Sequence, residues 1–207
     1  SRHPAEQVNL VATTGSGGEL VAPLLGGTRI NEVVANARAT AELHPEVRTI
    51  IEIGGEDSKL IFQEEDAETG EIVVSDFAMN ALCAAGTGSF LDQQATRLGL
   101  SIEEFAELAL ESKNPPRLAG RCSVFAKSDM IHLQQQATPV HDIVAGLCFA
   151  MARNFKSTVG SARELRPPLS FPGGEIPVDG HIAKSGITNQ RLQQFGGAAH
   201  VSGSAGG

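Results

Sequence analysis

Thr49-Ile50-Ile51-Glu52-Ile53-Gly54-Gly55-Glu56-Asp57-Ser58-Lys59 is an apolar run that stops at two glycines and then delivers two carboxylates. The β-branched residues Thr49, Ile50, Ile51 and Ile53 favour extended backbone, and the run reads as a buried strand. Gly54 and Gly55 let a phosphate approach the backbone N–H groups, and the acids beside and beyond them, Glu52, Glu56 and Asp57, are candidates to hold Mg²⁺ or orient a water. A tight hairpin turn with solvated acids explains the same residues, and at this point both readings stand. Lys59 to Gln63 and Ile72 to Phe77 then flank a charged connection containing Gly70. That pattern predicts a hairpin on the same sheet.

Working outward, Val8 to Ala12 is a short apolar run ending at Thr13-Thr14-Gly15-Ser16-Gly17-Gly18, and helical spacing follows from Glu19 to Leu25. Strand, glycine loop and helix is the natural reading, without the spacing or the Lys of a Walker loop. Ile30 to Ala41 carries apolar residues at helical spacing, with Pro45 marking its exit. Downstream, Phe90 to Leu98, Ile102 to Ser112, Ser128 to Ala137 and Asp142 to Ser161 predict helices, separated by Gly99, Pro115-Pro116 and Pro139. Leu169-Ser170-Phe171 reads as a returning strand that closes at Gly173-Gly174. The class is α/β: a mixed sheet, then a helical lobe, then one more strand. From Ile176 to Phe195 the periodicity is weak, and the last stretch is mostly Gly, Ala and Ser. We therefore expect one core over residues 1–175, a segment with no assigned element over 176–207, and a chain that is an excerpt of something longer.

A length of 207 residues suffices for one substantial core or two small lobes around a cleft. The formal net charge of -8 and the lack of a long Lys/Arg run argue against a nucleic-acid or anionic-membrane partner. Trp and Tyr are absent, which removes the usual stacking platforms for single strands. No apolar stretch has the length of a membrane span, and Ser1-Arg2-His3-Pro4 lacks the plan of a signal peptide. A cytoplasmic location is the expectation.

The three cysteines, Cys83, Cys122 and Cys148, are an odd, widely spaced set, so reduced thiols or metal ligands are expected rather than disulfides. Cys83-Ala84-Ala85-Gly86-Thr87-Gly88-Ser89 runs into a predicted helix, where the positive end of the dipole favours a thiolate. Gly120-Arg121-Cys122-Ser123 stands in a similar place, 39 residues on, ahead of the next predicted helix but one. That spacing matches neither zinc knuckles nor the close cysteine runs of ferredoxins. Two ligands are too few for a four-thiolate site, which a second copy of the chain related by a two-fold axis would complete. A small buried cysteine beside a glycine turn remains the plain alternative for each. Cys148 lies in an apolar helix and is read as core, while His132, His141 and His181 stand alone and are read as solvated or capping.

Taken together, Thr14-Gly15-Ser16-Gly17, Glu52 to Lys59, Met79 to Phe90, Arg121-Cys122-Ser123-Val124-Phe125 and Gly173-Gly174 resemble the activators of 2-hydroxyacyl-CoA dehydratases and the ATPase subunits of benzoyl-CoA reductases. The resemblance implies an actin-like (ribonuclease H-like) ATPase fold and a homodimer sharing one 4Fe-4S cluster. On it, Cys83 and Cys122 match the cluster ligands, and Glu52 to Asp57 match the second phosphate motif. Gly86, Thr87, Gly88 and Ser89 match the connecting region, and Gly173 and Gly174 the adenosine motif. The cofactors implied are ATP, Mg²⁺ and the cluster. The activity implied is ATP-driven transfer of one electron to a partner enzyme, a dehydratase or reductase. The chain departs from the pattern in having Glu56 where a Gln is usual and Gly18 where an Arg is usual, and no first phosphate loop precedes Val8, so the fold is expected to be incomplete at its N-terminus. A metal-free actin-like kinase or ATPase, and a non-catalytic dimerisation module, are the rival classes.

Overall fold

The computed structural model describes residues 10–80, 86–119, 123–161 and 163–172. In chain order the elements are β1 (Ala12–Thr13), α1 (Gly18–Leu24), β2 (Thr28–Arg29), α2 (Glu32–Leu43), β3 (Thr49–Ile53), β4 (Ser58–Glu65) and β5 (Ile72–Asn80). The helices α3 (Gly88–Leu98), α4 (Ile102–Glu111), α5 (Ser123–Gln135) and α6 (Val140–Thr158) follow, and β6 (Leu169–Ser170) closes the described chain.

The sheet follows from the alternation of β-branched and apolar residues. β3, β4 and β5 form an antiparallel meander, and β6 returns parallel to β3, giving the order β5-β4-β3-β6. Register then sorts the side chains into two faces. Ile50 lies opposite Ile61, and this pair packs with Ala37 of α2 and with Val47. Ile51 lies opposite Leu60, and this pair joins Phe62, Phe155 and Val159 on the α6 side. Each fully buried aliphatic side chain contributes about 1.5–3 kcal/mol relative to exposure, so this pairing is strongly specified. Gln63, beside the bulge that β5 makes at Ser75, turns its amide to the Ala37 carbonyl at 2.8 Å and ties the sheet to α2.

The helical lobe has its own core of Phe90, Phe105, Leu118, Ala126, Met130, Ile143, Val144 and Leu147. Its helices start and stop where local chemistry directs. Asn31 caps α2 through its side chain, so the helix opens at Glu32 rather than at Ile30. Ser101 and Glu104 form a capping box on α4, and Gly99 ends α3 at φ +70°.

A further boundary is corrected, and one strand has no counterpart in the sequence reading. α5 begins at Ser123, ahead of the expected Ser128; the apolar pattern does not signal this start, since Val124 and Phe125 are 66% and 63% exposed and add nothing to an inward stripe. β2 escapes the sequence reading altogether, since its two residues are too short to show a period and exist through pairing with β1. The hairpin, the buried strand at 49–53 and the returning strand are as expected. Among the described residues no helix is long and apolar enough to cross a membrane.

The connection from α4 to α5 is pinned by side chains of the next two helices. Asp142 accepts from the Ser112 hydroxyl at 2.6 Å and the Asn114 amide at 3.2 Å. Arg153 donates to the Leu118 carbonyl at 2.9 Å, and Asp129 accepts from the Ala119 amide at 2.7 Å. Gly146 of α6 lets this loop approach, since a Cβ there would lie 2.6 Å from the Pro116 carbonyl oxygen and against the Leu118 side chain. Gly146→Ala is therefore expected to lower stability by about 1–3 kcal/mol through overpacking. Urea unfolding checks this as a lower midpoint at constant slope, and an unchanged midpoint refutes it.

Candidate functional site

At the end of β3 the sheet register sets Glu52 directly opposite Lys59. The turn between them is closed by the Gly54 amide donating to the Asp57 carbonyl at 2.9 Å. Lys59 belongs to a central strand and is only 1% exposed, so its ammonium needs compensation on the spot. Its Nζ lies 2.6 Å from Asp57 Oδ1, 2.9 Å from Glu52 Oε2 and 3.2 Å from Glu32 Oε1. Glu32 comes from the first turn of α2, on a different element. One oxygen from each of the three carboxylates fits within a 4.8 Å set.

The charges do not balance, and the titration of the groups reflects this. Burial pulls the Lys59 amine down, but the hydrogen bonds it donates to Asp57 and Glu52, and their negative charge, more than offset it, leaving the amine above the ordinary lysine range. Burial raises Glu52 above the ordinary carboxylate range; Lys59 opposes this, and the negative charge of Asp57 and Glu32 adds to it. Three anions share one cation, so the cation is over-served and the most enclosed anion is under-served.

Space is tight where these groups meet. A Cβ on Gly54 would lie 3.0 Å from Glu52 Oε1 and 3.1 Å from Asp57 Oδ1, inside the carboxylate set. The start of α3 is locked onto the same turn. The Gly88 amide donates to the Gly54 carbonyl at 2.7 Å, and the Ser89 amide to the Gly55 carbonyl at 2.9 Å. These two helix-terminal donors hold the turn in place. A Cβ on Gly88 would press on the Gly54 carbonyl at 3.2 Å, and the Thr87 and Ser89 hydroxyls lie 3.1 Å apart. Gly86 sits against the amides of Asn80 and Asn154, where a Cβ would come within 3.0 and 3.1 Å. Nearby, the Ser58 hydroxyl and the Asn154 Nδ2 are buried without a hydrogen-bond partner.

The structure thus brings Glu52, Gly54, Gly55 and Asp57 together with Gly86, Thr87, Gly88 and Ser89. Glu56 does not join them, being exposed at the turn. Cys83, Cys122, Gly173 and Gly174 lie outside the described residues, as does His181. Cys148 packs against the lobe core, as expected, and burial pushes its thiol up to about 12. Sequence reading missed two members of the cluster. Lys59 carried no signal beyond ending the motif, and Glu32 reads locally as an acid suited to a helix N-terminus.

Comparison with known proteins adds four findings. The model of a family described as the BadF/BadG/BcrA/BcrD ATPase family matches residues 2–193. Over 132 residues the chain is 36% identical to the 2-hydroxyisocaproyl-CoA dehydratase activator of Clostridioides difficile, covering 63% of this chain and 47% of that protein. Over 190 residues it is 29% identical to a benzoyl-CoA reductase subunit from Thauera aromatica, covering 92% of this chain and 64% of that one. Among solved structures, the activator of the 2-hydroxyisocaproyl-CoA dehydratase from Clostridium difficile with bound ADPNP superposes with a TM-score of 0.73 at 31% identity. That match covers 83% of this chain and 61% of the other. The chain spans less than two thirds of each of these proteins, and its fold is the actin-like ATPase fold of the activators.

The raised Lys59 amine fixes a pH dependence. Its contribution to stability is complete below the ordinary lysine value of 10.5 and is lost as pH rises from there through the higher folded-state value. Lys59→Arg keeps its charge over that range. Urea midpoints from pH 9 upward are therefore expected to fall more steeply for the wild type than for Lys59→Arg, and parallel curves would refute the assignment.

Proposed function

This chain belongs to the BadF/BadG/BcrA/BcrD ATPase family, and on that premise we propose that it is the nucleotide-binding core of an ATP-driven electron-transfer activator. Its partner in this reading is a 2-hydroxyacyl-CoA dehydratase or a benzoyl-CoA reductase-like enzyme. The observation that carries the reading is the convergence of Glu52 and Asp57 on the Gly54-Gly55 turn, with the Gly86–Ser89 segment bonded to that turn. The relative solved with ADPNP supports a nucleotide at such a site.

The donor set suits Mg²⁺, since Glu52, Asp57 and Glu32 offer hard carboxylate oxygens within one small volume. Asp57 would hold the ion, which when bound supplies positive charge to the nucleotide's phosphates. Gly54 and Gly55 keep side chains away from those phosphates. Glu52, whose carboxyl is raised by burial, is suited to accept the proton of the attacking water as the new P–O bond forms and the bond to the ADP oxygen breaks. Glu56, on the solvent side of the turn, is left to meet the nucleotide from outside, and Gly173 and Gly174 to line the adenosine.

For the electron, the soft thiols of Cys83 and Cys122 suit iron and sulfide, and two per chain call for a homodimer around one 4Fe-4S cluster. Such a cluster supplies a store for one low-potential electron. Hydrolysis biases the dimer through contacts that differ between nucleotide states. The core in this reading is 1–175, with 176–207 apart from it, and the reducing cytoplasm is its compartment.

Anaerobic purification tests the whole. Iron and sulfide are expected at about four each per two chains, in a solution dimer, with cluster absorbance lost in Cys83→Ala and in Cys122→Ala. Asp57→Asn is expected to lower ATP turnover on the order of a hundredfold while leaving the iron content alone. A colourless protein with substrate-stimulated ATP use overturns the reading in favour of a metal-free kinase. One with no nucleotide affinity overturns it in favour of a dimerisation module.

A further inference from the structure

Lys59 carries an inference that goes beyond this reading and rests on it. Lys59 is 1% exposed, and its ammonium stands where carboxylates from three separate stretches meet: Glu32 from α2, Glu52 from β3 and Asp57 from the turn. No local feature of the backbone requires a lysine there. Lys59 lies opposite Glu52 on one side and Met79 on the other, in the middle of a sheet where an apolar side chain would cost least. Without the ammonium, three carboxylates would share one small volume uncompensated, a state that is strongly unfavourable unless protonation relieves it.

We propose that Lys59 is a positioning residue that acts as the resident cation of the site. It holds Glu52 and Asp57 converged and recruits α2 through Glu32, so that a divalent cation enters only by competing with its ammonium. The lysine then sets how strongly cation binding depends on nucleotide: phosphate oxygens must supply the ligands and negative charge that make the exchange favourable. α2 is drawn in as a consequence, because an ammonium that moves away from Asp57 and Glu52 keeps its third partner, Glu32, at the edge of the set.

The test uses Mn²⁺ alone as probe, with the fraction bound read from the loss of the free-ion electron paramagnetic resonance signal. In the absence of nucleotide, Lys59→Met is expected to bind Mn²⁺ about tenfold or more tightly than the wild type, because the internal competitor is gone. Lys59→Arg is expected to restore weak binding. The double variant Glu32→Gln/Lys59→Met removes one charge of each sign and keeps the net charge of the cluster, and it guards against a Lys59→Met chain that does not fold. It too is expected to bind Mn²⁺ more tightly than the wild type. Unchanged or weaker Mn²⁺ binding in the folded variants overturns the proposal. A structural role alone would lower thermal stability in both without moving Mn²⁺ affinity. Titration of the wild type with ADP and Mg²⁺ is read separately: absence of nucleotide binding there sinks the ATPase reading, whereas the Mn²⁺ comparison decides the role of Lys59.

Discussion

A single buried ammonium constrains this molecule. Lys59 is enclosed in the middle of a sheet and must keep its charge solvated by protein, and removing one partner from a buried ion pair typically costs about 3–5 kcal/mol. Much of the local architecture follows from that demand. The β3–β4 register sets Glu52 opposite Lys59, the turn doubles back so that Asp57 reaches the same nitrogen, and Glu32, in the first turn of the Asn31-capped α2, completes the set. A side chain at position 54 would crowd the Glu52 and Asp57 carboxylates, whose oxygens would lie 3.0 and 3.1 Å from its Cβ.

The same turn anchors the next element. The carbonyls of Gly54 and Gly55 accept from the amides of Gly88 and Ser89, so the start of the helical lobe is bonded to the turn that carries the acids. α6 joins the two cores along its length. Its first half supplies Ile143, Val144 and Leu147 to the lobe, and its second half supplies Phe155 to the sheet. Between them, Asn154 reaches Gly86, beside a Ser58 hydroxyl that lies buried and without a partner. Buried polar groups left unsatisfied are uncommon, and two of those among the described residues, the Ser58 hydroxyl and Asn154 Nδ2, lie at the boundary between sheet and lobe.

Much of this was legible in the order of residues. The run Thr49 to Ile53, the Gly70 connection and the returning Leu169 to Phe171 disclose a mixed sheet, because β-branched residues, breakers and period-two alternation act locally. α4 and α6 show clear apolar stripes and strong boundaries. α5 was legible only in part, since Val124 and Phe125 face solvent, and β2 was not legible at all, since pairing with β1 is its whole reason to exist. At the site, the acids and glycines of 52–57 and 86–89 stood out by type and spacing. Glu56 was grouped with Glu52 and Asp57 because it is their neighbour in sequence, yet the turn points it outward.

Residue order alone discloses which backbone segments extend, turn or coil, and which short motifs carry acids, glycines and thiols, because those preferences depend on a residue and its near neighbours. Only the tertiary structure decided which charges share a space. Glu32 lies 27 positions before Lys59 in the chain, on a helix whose local chemistry explains it fully, and it reaches the ammonium only because α2 packs on the sheet. Coulombic partnership is set by distance in space, and that distance exists only once the sheet, the turn and the helix have packed together.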